Sequence, residues 1–306
     1  MSRGPRAGRA RRAGGTGPGG PAWRGIVAGA LRAAAVHVRR LAPAAGRKVV
    51  AGREAGYRAW DPEVIGVDTA AERAVIRVLR RAGVHGLLLS EEAGEVRLGR
   101  KSDGEPVYVV MDPFDGSMLY RRGIRAHWFT AVGIYGQDGL PRGAGLVDHL
   151  TGEVVLADAG GASRIARPGA RPVPARPSGT TAVEAAYVEA YMMKPAFLYP
   201  TAAALRPLLE RARFILPNGG PGGFVDVACG RIDVYLCWQE ALTEVFSAVA
   251  VAERAGAVVS HWDGTPLRFR PDIHALYSLV CSANARLHDE VLRTLRGVAL
   301  PKGLTP

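Results

Sequence analysis

The sequence predicts an α/β fold, on three observations. In its second half, apolar runs of strand length alternate with segments of helical periodicity, the pattern of helices laid on a sheet. In its first half, short apolar runs bounded by turn residues succeed one another like a meander. The chain has 306 residues, 48% of them hydrophobic, which is enough for a core that needs no staples. Cys229, Cys237 and Cys281 are odd in number and share no metal-ligand spacing, so a disulfide framework is not expected and a reduced, cytoplasmic compartment is. No apolar run reaches the roughly 18 residues of a membrane span, and Arg32 and His37 break the one N-terminal stretch that resembles a signal segment.

The elements follow in order. Val27, Leu31, Ala34, Val38 and Leu41 stand near helical spacing in residues 22–42 and predict an amphipathic helix. A second helix is expected after Asp68, with Thr69 and Glu72 as a capping box and Val75, Val78 and Leu79 facing the core. GLLLS (86–90) and VYVVM (107–111) read as strands. FTAVGIYG (129–136), GAGLVDH (143–149) and GEVVLA (152–157) read as an antiparallel meander. The stretch ARPGARPVPARPSG (166–179) marks a boundary between a unit at 23–170 and one at 171–306. Beyond it, residues 185–191, 212–217, 232–236, 257–262 and 276–283 predict strands. Residues 222–230, 243–256 and 286–297 predict helices, and WDG at 262–264 a hairpin turn.

The formal net charge of +12 is unevenly placed. Residues 1–53 hold twelve Lys and Arg and no acid; the remaining chain is balanced at 28 of each sign. Residues 1–22 are Gly, Pro, Arg and Ala without apolar period and are expected to be a disordered basic tail, able at most to bind nucleic acid weakly. The body lacks the interleaved basic and aromatic residues of a stacking platform.

The chemistry concentrates at DPFDGS (112–117), just past VYVVM. Asp112 and Asp115 sit three apart, where Asp-Pro and Asp-Gly also favour a simple turn. Glu91 and Glu92 follow another strand, and Asp68 stands at a helix start. Converging carboxylates need a compensating charge, and hard oxygen donors select Mg²⁺, Mn²⁺ or Ca²⁺. Gly116 and Ser117 could open a helix whose free N–H groups meet a phosphate. Carboxylates with a metal beside a phosphate cradle suit phosphoryl transfer to water.

SEE (90–92) and DPFDGS (112–117), with their spacing, resemble the inositol monophosphatase family, the lithium-sensitive magnesium phosphatases that include archaeal fructose-1,6-bisphosphatases. DTAAERAV (68–75), GLVDHLTGEVVLA (145–157), VACGRIDVY (227–235), RAGAVVSHWDGTPL (254–267) and CSANARLHDEVL (281–292) extend the resemblance over about residues 23–298. It implies a layered αβαβα sugar-phosphatase fold and two or three Mg²⁺, with Mn²⁺ an alternative. It also implies a homodimer and a small phosphorylated metabolite as substrate. The metal ligands it implies are Glu91, Asp112, the Phe114 carbonyl and Asp115. Glu91, Ser117 and Asp68 would orient the attacking water, and the Gly116 and Ser117 amides would bind phosphate.

Two positions depart from the family pattern. Counting from Asp233, the last ligand falls at Glu244 instead of Asp, one methylene longer, and a first-turn acid complementing the helix dipole would look the same. Cys237 stands where many inositol phosphatases have a substrate-binding Glu; Glu240 could substitute if the loop differs. PNGGPGG (217–223) replaces a sugar-contacting stretch, and its glycines could bring backbone amides to a ligand. Arg121, Arg122, Tyr191 and Lys194 are candidate contacts for anionic oxygens, and His127 and His149 read as structural. KSDGEP (101–106) could form a loop over the site. A phosphatase acting on fructose 1,6-bisphosphate or inositol 1-phosphate is expected. The alternatives are a nucleotide 3′-phosphatase and a degenerate relative that only binds anions or partners.

Overall fold

A computed structural model of the chain describes residues 22–52, 63–100 and 104–298. The basic tail, all but residue 22, and the first half of the KSDGEP loop lie outside the described residues. The strands are β1 (Val49–Gly52), β2 (Glu63–Ile65), β3 (Gly86–Ser90), β4 (Gly94–Leu98), β5 (Val107–Asp115), β6 (Phe129–Gly136), β7 (Pro141–Asp148), β8 (Val154–Asp158), β9 (Gly161–Ile165), β10 (Val173–Pro174), β11 (Tyr187–Ala190), β12 (Phe214–Leu216), β13 (Val234–Ala241), β14 (Val258–His261) and β15 (Leu276–Ser282). The helices are α1 (Trp23–Arg40), α2 (Pro43–Gly46), α3 (Gly66–Arg81), α4 (Ser117–Arg122), α5 (Pro195–Leu209), α6 (Pro221–Ala228), α7 (Leu242–Phe246), α8 (Val249–Ala255) and α9 (Ala285–Thr294).

Eight strands form one sheet in the order β10-β9-β8-β7-β6-β5-β3-β4, and five form another, β12-β11-β13-β15-β14. Alternate residues of the first sheet serve different layers. Leu88, Val109, Met111, Val132 and Ile134 pack with α1 and α3, while Leu89, Val110, Ala131 and Tyr135 face α6, α7 and α8. With both faces covered, each strand reads as a continuous apolar run rather than an alternation. The second sheet buries Tyr235, Leu279 and Cys281 against the same middle helices, and Val188, Leu236 and Val280 against α5 and α9. The order is therefore helices, sheet, helices, sheet, helices, the αβαβα layering that the family resemblance implied.

Three elements differ from expectation. α3 starts at Gly66, not after Asp68; Asp68 is its third residue and accepts a 2.7 Å hydrogen bond from the Ile65 N–H, so Asp68 is the capping acid and Thr69 is not a cap. The helix expected over 243–256 is two, α7 and α8, interrupted at Ser247 and Ala248; the Ser247 hydroxyl bonds the Glu244 carbonyl at 3.2 Å, competing with the helical ladder. α5 had no sequence signal, because Pro200 and Pro207 inside it are helix breakers; burial of Phe197, Leu205 and Leu208 outweighs them.

Candidate active site

A cavity, about 830 Å³ of empty space with its open mouth included, is lined by Glu91, Asp112, Asp115, Gly116, Ser117 and Glu244 on one side and by Tyr191, Lys194 and Asn218–Gly220 on the other. Its position follows from topology. β3 and β5 run parallel, with Ser90 opposite Met111, so Glu91 and Asp112 leave the carboxyl ends of adjacent strands together. Ligands commonly sit outside such carboxyl ends.

The motif is not a turn past the strand, as its dipeptides suggested. β5 continues to Asp115 through a bulge: Asp112 pairs with Ala131 and Asp115 with Phe129, three steps on one strand against two on the other. In a regular strand residues three apart point to opposite faces; the extra residue brings both aspartates to one side. The Thr130 hydroxyl donates to the Pro113 carbonyl at 2.6 Å and pins the bulge. Gly116 then turns the chain into α4 at φ 91°, in contact with the His127 carbonyl.

Ser117 is held on two sides. Its hydroxyl lies within hydrogen-bond distance of Asp68 Oδ1 and, at 2.9 Å, of the Phe114 carbonyl. Asp68 is fully buried and fixed by the Ile65 N–H, so the hydroxyl proton points to Asp68 while the oxygen's lone pairs remain for the cavity. Beneath Glu91, the Ser90 hydroxyl donates to Glu72 at 2.5 Å and the Ala93 N–H at 2.9 Å, fixing the chain around the ligand candidate. Burial raises the Glu72 carboxyl above its ordinary range against those two hydrogen bonds.

The opposite wall rests on buried carboxyls. Glu240 accepts from the Gly220 N–H at 2.9 Å and from the Tyr235 hydroxyl at 2.5 Å. A second bulge makes this possible: Cys237 pairs with Leu279 and Glu240 with Tyr277, with Gln239 at φ 53° between them. Glu240 thus supports the glycine loop from behind, where the sequence had suggested a substrate contact. Gly220, at φ 79°, passes so close to Asp115 that a Cβ would sit 2.9 Å from its Oδ2. Glu189 accepts from Asn218 Nδ2 at 2.8 Å, and burial pushes its carboxyl up to about 8.

Of the residues singled out in the sequence, Glu91, Asp112, Phe114, Asp115, Gly116, Ser117, Tyr191, Lys194 and Glu244 line this cavity, with Asp68 behind Ser117. Arg121 and Arg122 do not: they lie in the last turn of α4, and Arg121 pairs with Glu63. Glu92 lines a neighbouring cleft with Glu72 and Glu95. Cys237 is fully buried in β13. His149 is structural as read, bonded to Thr130 Oγ1 at 2.8 Å and stacked on Phe114, and burial lowers its imidazole to about 4. His127 differs from the reading: it lines the cavity at φ 53°, and burial lowers its pKa. Its left-handed backbone carries no sequence signature, which is why a scattered histidine looked structural.

The cavity's donor set is carboxylate, carbonyl and hydroxyl oxygen, the chemistry that fits a hard divalent cation such as Mg²⁺ or Mn²⁺. Among the described residues no group of three or more His, Cys, Asp or Glu side chains is already closed on a single metal position. The four acids are arranged around the space rather than closed on one centre.

No family model matches the chain, and no curated protein matches it. Solved structures do. An inositol monophosphatase from Anabaena is similar over 91% of this chain and 96% of its own, with 23% identity and TM-score 0.70. The extragenic suppressor protein SuhB from Bartonella henselae is similar over 91% and 100%, with 18% identity and TM-score 0.74. A structure of SaIMPase-II bound to inositol monophosphate is similar over 89% and 92%, with 19% identity and TM-score 0.65, and that protein also has a 2′-AMP-bound structure. The chain has the fold of the inositol monophosphatases and SuhB.

Proposed function

We propose that the protein is a metal-dependent phosphomonoesterase that hydrolyses a small sugar or inositol phosphate. The observation that carries this is the convergence of Glu91, of Asp112 and Asp115, and of Glu244, from three separate places in the chain, on one cavity that also holds Ser117. Fructose 1,6-bisphosphate and inositol 1-phosphate are the first substrates to test. The inositol monophosphate in SaIMPase-II, a protein of the same fold, favours the inositol ester. Its 2′-AMP complex keeps a nucleotide phosphate, adenosine 3′,5′-bisphosphate, as the second reading.

Asp112, Asp115, Glu91, Glu244 and the Phe114 carbonyl would hold Mg²⁺. Bound there, the cation would neutralise the phosphate, acidify water and stabilise the leaving oxygen. The chain's own groups do the rest. Ser117 Oγ accepts a hydrogen bond from the attacking water, and its own proton lies toward Asp68, so the proton the water gives up can pass to Ser117 Oγ as the Asp68 carboxylate takes up the hydroxyl proton. Gly116 and Ser117 offer backbone N–H groups to the phosphate oxygens. Lys194 and Tyr191 bring a cation and a hydroxyl to the far wall, where the rest of the substrate sits. The Gly219–Gly220 backbone approaches closely because neither residue has a side chain.

The test is phosphate release from fructose 1,6-bisphosphate, inositol 1-phosphate and adenosine 3′,5′-bisphosphate, with and without Mg²⁺, beside Asp112→Asn. Mg²⁺-dependent release that is lost in Asp112→Asn is the expected result, and the best substrate names the activity. No release with any metal would refute the reading and leave a degenerate relative, for which Glu244→Asp is the rescue to try.

A further inference from the structure

Behind the motif, on the side of β5 away from the carboxylates, lies a second cavity, about 750 Å³ of empty space with its open mouth included, walled by Tyr120, Trp128 and His149 and rimmed by Arg39 and Arg47. Two of its ring nitrogens are buried and have no hydrogen-bond partner among the described residues: Trp128 Nε1 and His149 Nδ1. Their roles are fixed. An indole nitrogen only donates. The Thr130 hydroxyl gives its proton to the Pro113 carbonyl at 2.6 Å, so at 2.8 Å it accepts from His149 Nε2, and Nδ1 is left as an acceptor. Buried donors and acceptors are rarely left unmade in native proteins, because each costs desolvation without return. Here one of each stands beside a space far larger than one water needs. Arg39 and Arg47 form no ion pair among the described residues, and the nearby carboxylate, Asp148, is already bonded by Leu150 N–H and the Thr151 hydroxyl, both at 2.7 Å.

We propose that this cavity is a second small-molecule site, distinct from the carboxylate cavity, for an aromatic or sugar-like compound bearing a phosphate- or phosphonate-type anion. The anion meets Arg39 and Arg47. An acceptor on the ligand takes the Trp128 N–H, a donor on the ligand serves His149 Nδ1, and the Tyr120 and Trp128 rings cover its body. The site stands whether or not the carboxylate cavity is a phosphatase. It shares a wall with the motif: the Phe114 ring lies 5.3 Å from Tyr120 and 5.2 Å from His149, so an occupant touches the residues that support the DPFDGS bulge.

The probe is 4-aminobenzylphosphonate, which carries an anion, an aromatic body and an N–H donor, and whose C–P bond a phosphomonoesterase does not cleave. The readout is the Trp128 indole N–H resonance of the full chain, assigned with Trp128→Phe among the five tryptophans. A saturable shift is expected. It should be weakened about tenfold in the surface double variant Arg39→Ala/Arg47→Ala and with benzylphosphonate, which lacks the donor, and retained in Asp112→Asn. No shift up to about 10 mM would overturn the proposal. So would a shift insensitive to the arginines, or one lost only in Asp112→Asn, which would put the compound in the carboxylate cavity. Water exchange cross-peaks to the indole proton without displacement by the probe would mean ordered water only, and would overturn it too.

Discussion

A side chain at Gly116 would collide with the His127 carbonyl, and the φ of 91° is one that L-residues rarely adopt. Gly116→Ala is expected to lower stability by about 1–3 kcal/mol, read from urea unfolding. Ser117→Ala acts chiefly on activity. It removes the hydroxyl between Asp68 and the cavity, so phosphate release should fall about a hundredfold or more, while the hydrogen bond lost by the buried Asp68 oxygen should cost about 1–3 kcal/mol in urea unfolding. Glu189 gives a pH signature. Its folded pKa, about 8, exceeds the ordinary glutamate value of 4.5, so between these values the folded state holds a proton that the unfolded state has lost. Its contribution to stability is therefore complete below about 4.5 and is lost as pH rises through 8, at no more than about 1.4 kcal/mol per pH unit. Glu189→Gln should remove that slope, so the variant gains on the parent chain between pH 5 and pH 8.5; parallel slopes would contradict the assignment. At this scale the sequence was legible wherever charge demanded an explanation: Glu91, Asp112 and Asp115 announce themselves as like charges gathered at strand ends. Arg121 could not be placed, because its partner Glu63 comes from a distant strand, and His127 was hidden by a backbone conformation that its identity does not require.

Strands and helices with unbroken periodicity were readable; the devices that aim the site were not. The β5 bulge sets Asp112 and Asp115 on one side, yet DPFDGS reads locally as a turn, because a bulge is defined by the partner strand, which the segment does not contain. The bulge in β13 is hidden in the same way, and with it the task of Glu240 in holding Gly220 and Tyr235. Glu240→Ala should leave the buried Tyr235 hydroxyl proton without its acceptor, while the Gly220 N–H keeps the Tyr235 oxygen at 2.9 Å, and cost about 1–3 kcal/mol. If the glycine loop shapes the substrate wall, KM should also rise more than kcat falls; an unchanged KM would separate the loop from substrate binding. α5 was missed because its interior prolines argue against a helix locally, whereas the apolar face it offers the second sheet decides the matter in three dimensions.

At the scale of the whole molecule, the α/β class was legible as alternation of element types, because sheets whose faces are both covered produce continuous apolar runs, whereas the five layers came only from the family resemblance. What the pattern cannot reveal is which ends of which strands meet. The structure shows Glu91 and Asp112 leaving the carboxyl ends of the parallel pair β3 and β5, with Glu244 on α7 lining the same cavity. Four acids facing one space repel each other, so a bound cation should stabilise the fold: Mg²⁺ at about a hundred times its Kd should add about 2.7 kcal/mol and raise Tm, with no such rise in Asp112→Asn. Whether these carboxylates act together as a cation site is decided by Mn²⁺ binding followed by electron paramagnetic resonance, without any substrate. Saturable binding of at least one Mn²⁺ per chain is expected, displaced by Mg²⁺, lost in Asp112→Asn and weakened in Glu244→Ala. Binding that is absent, or that survives Asp112→Asn unchanged, would contradict it.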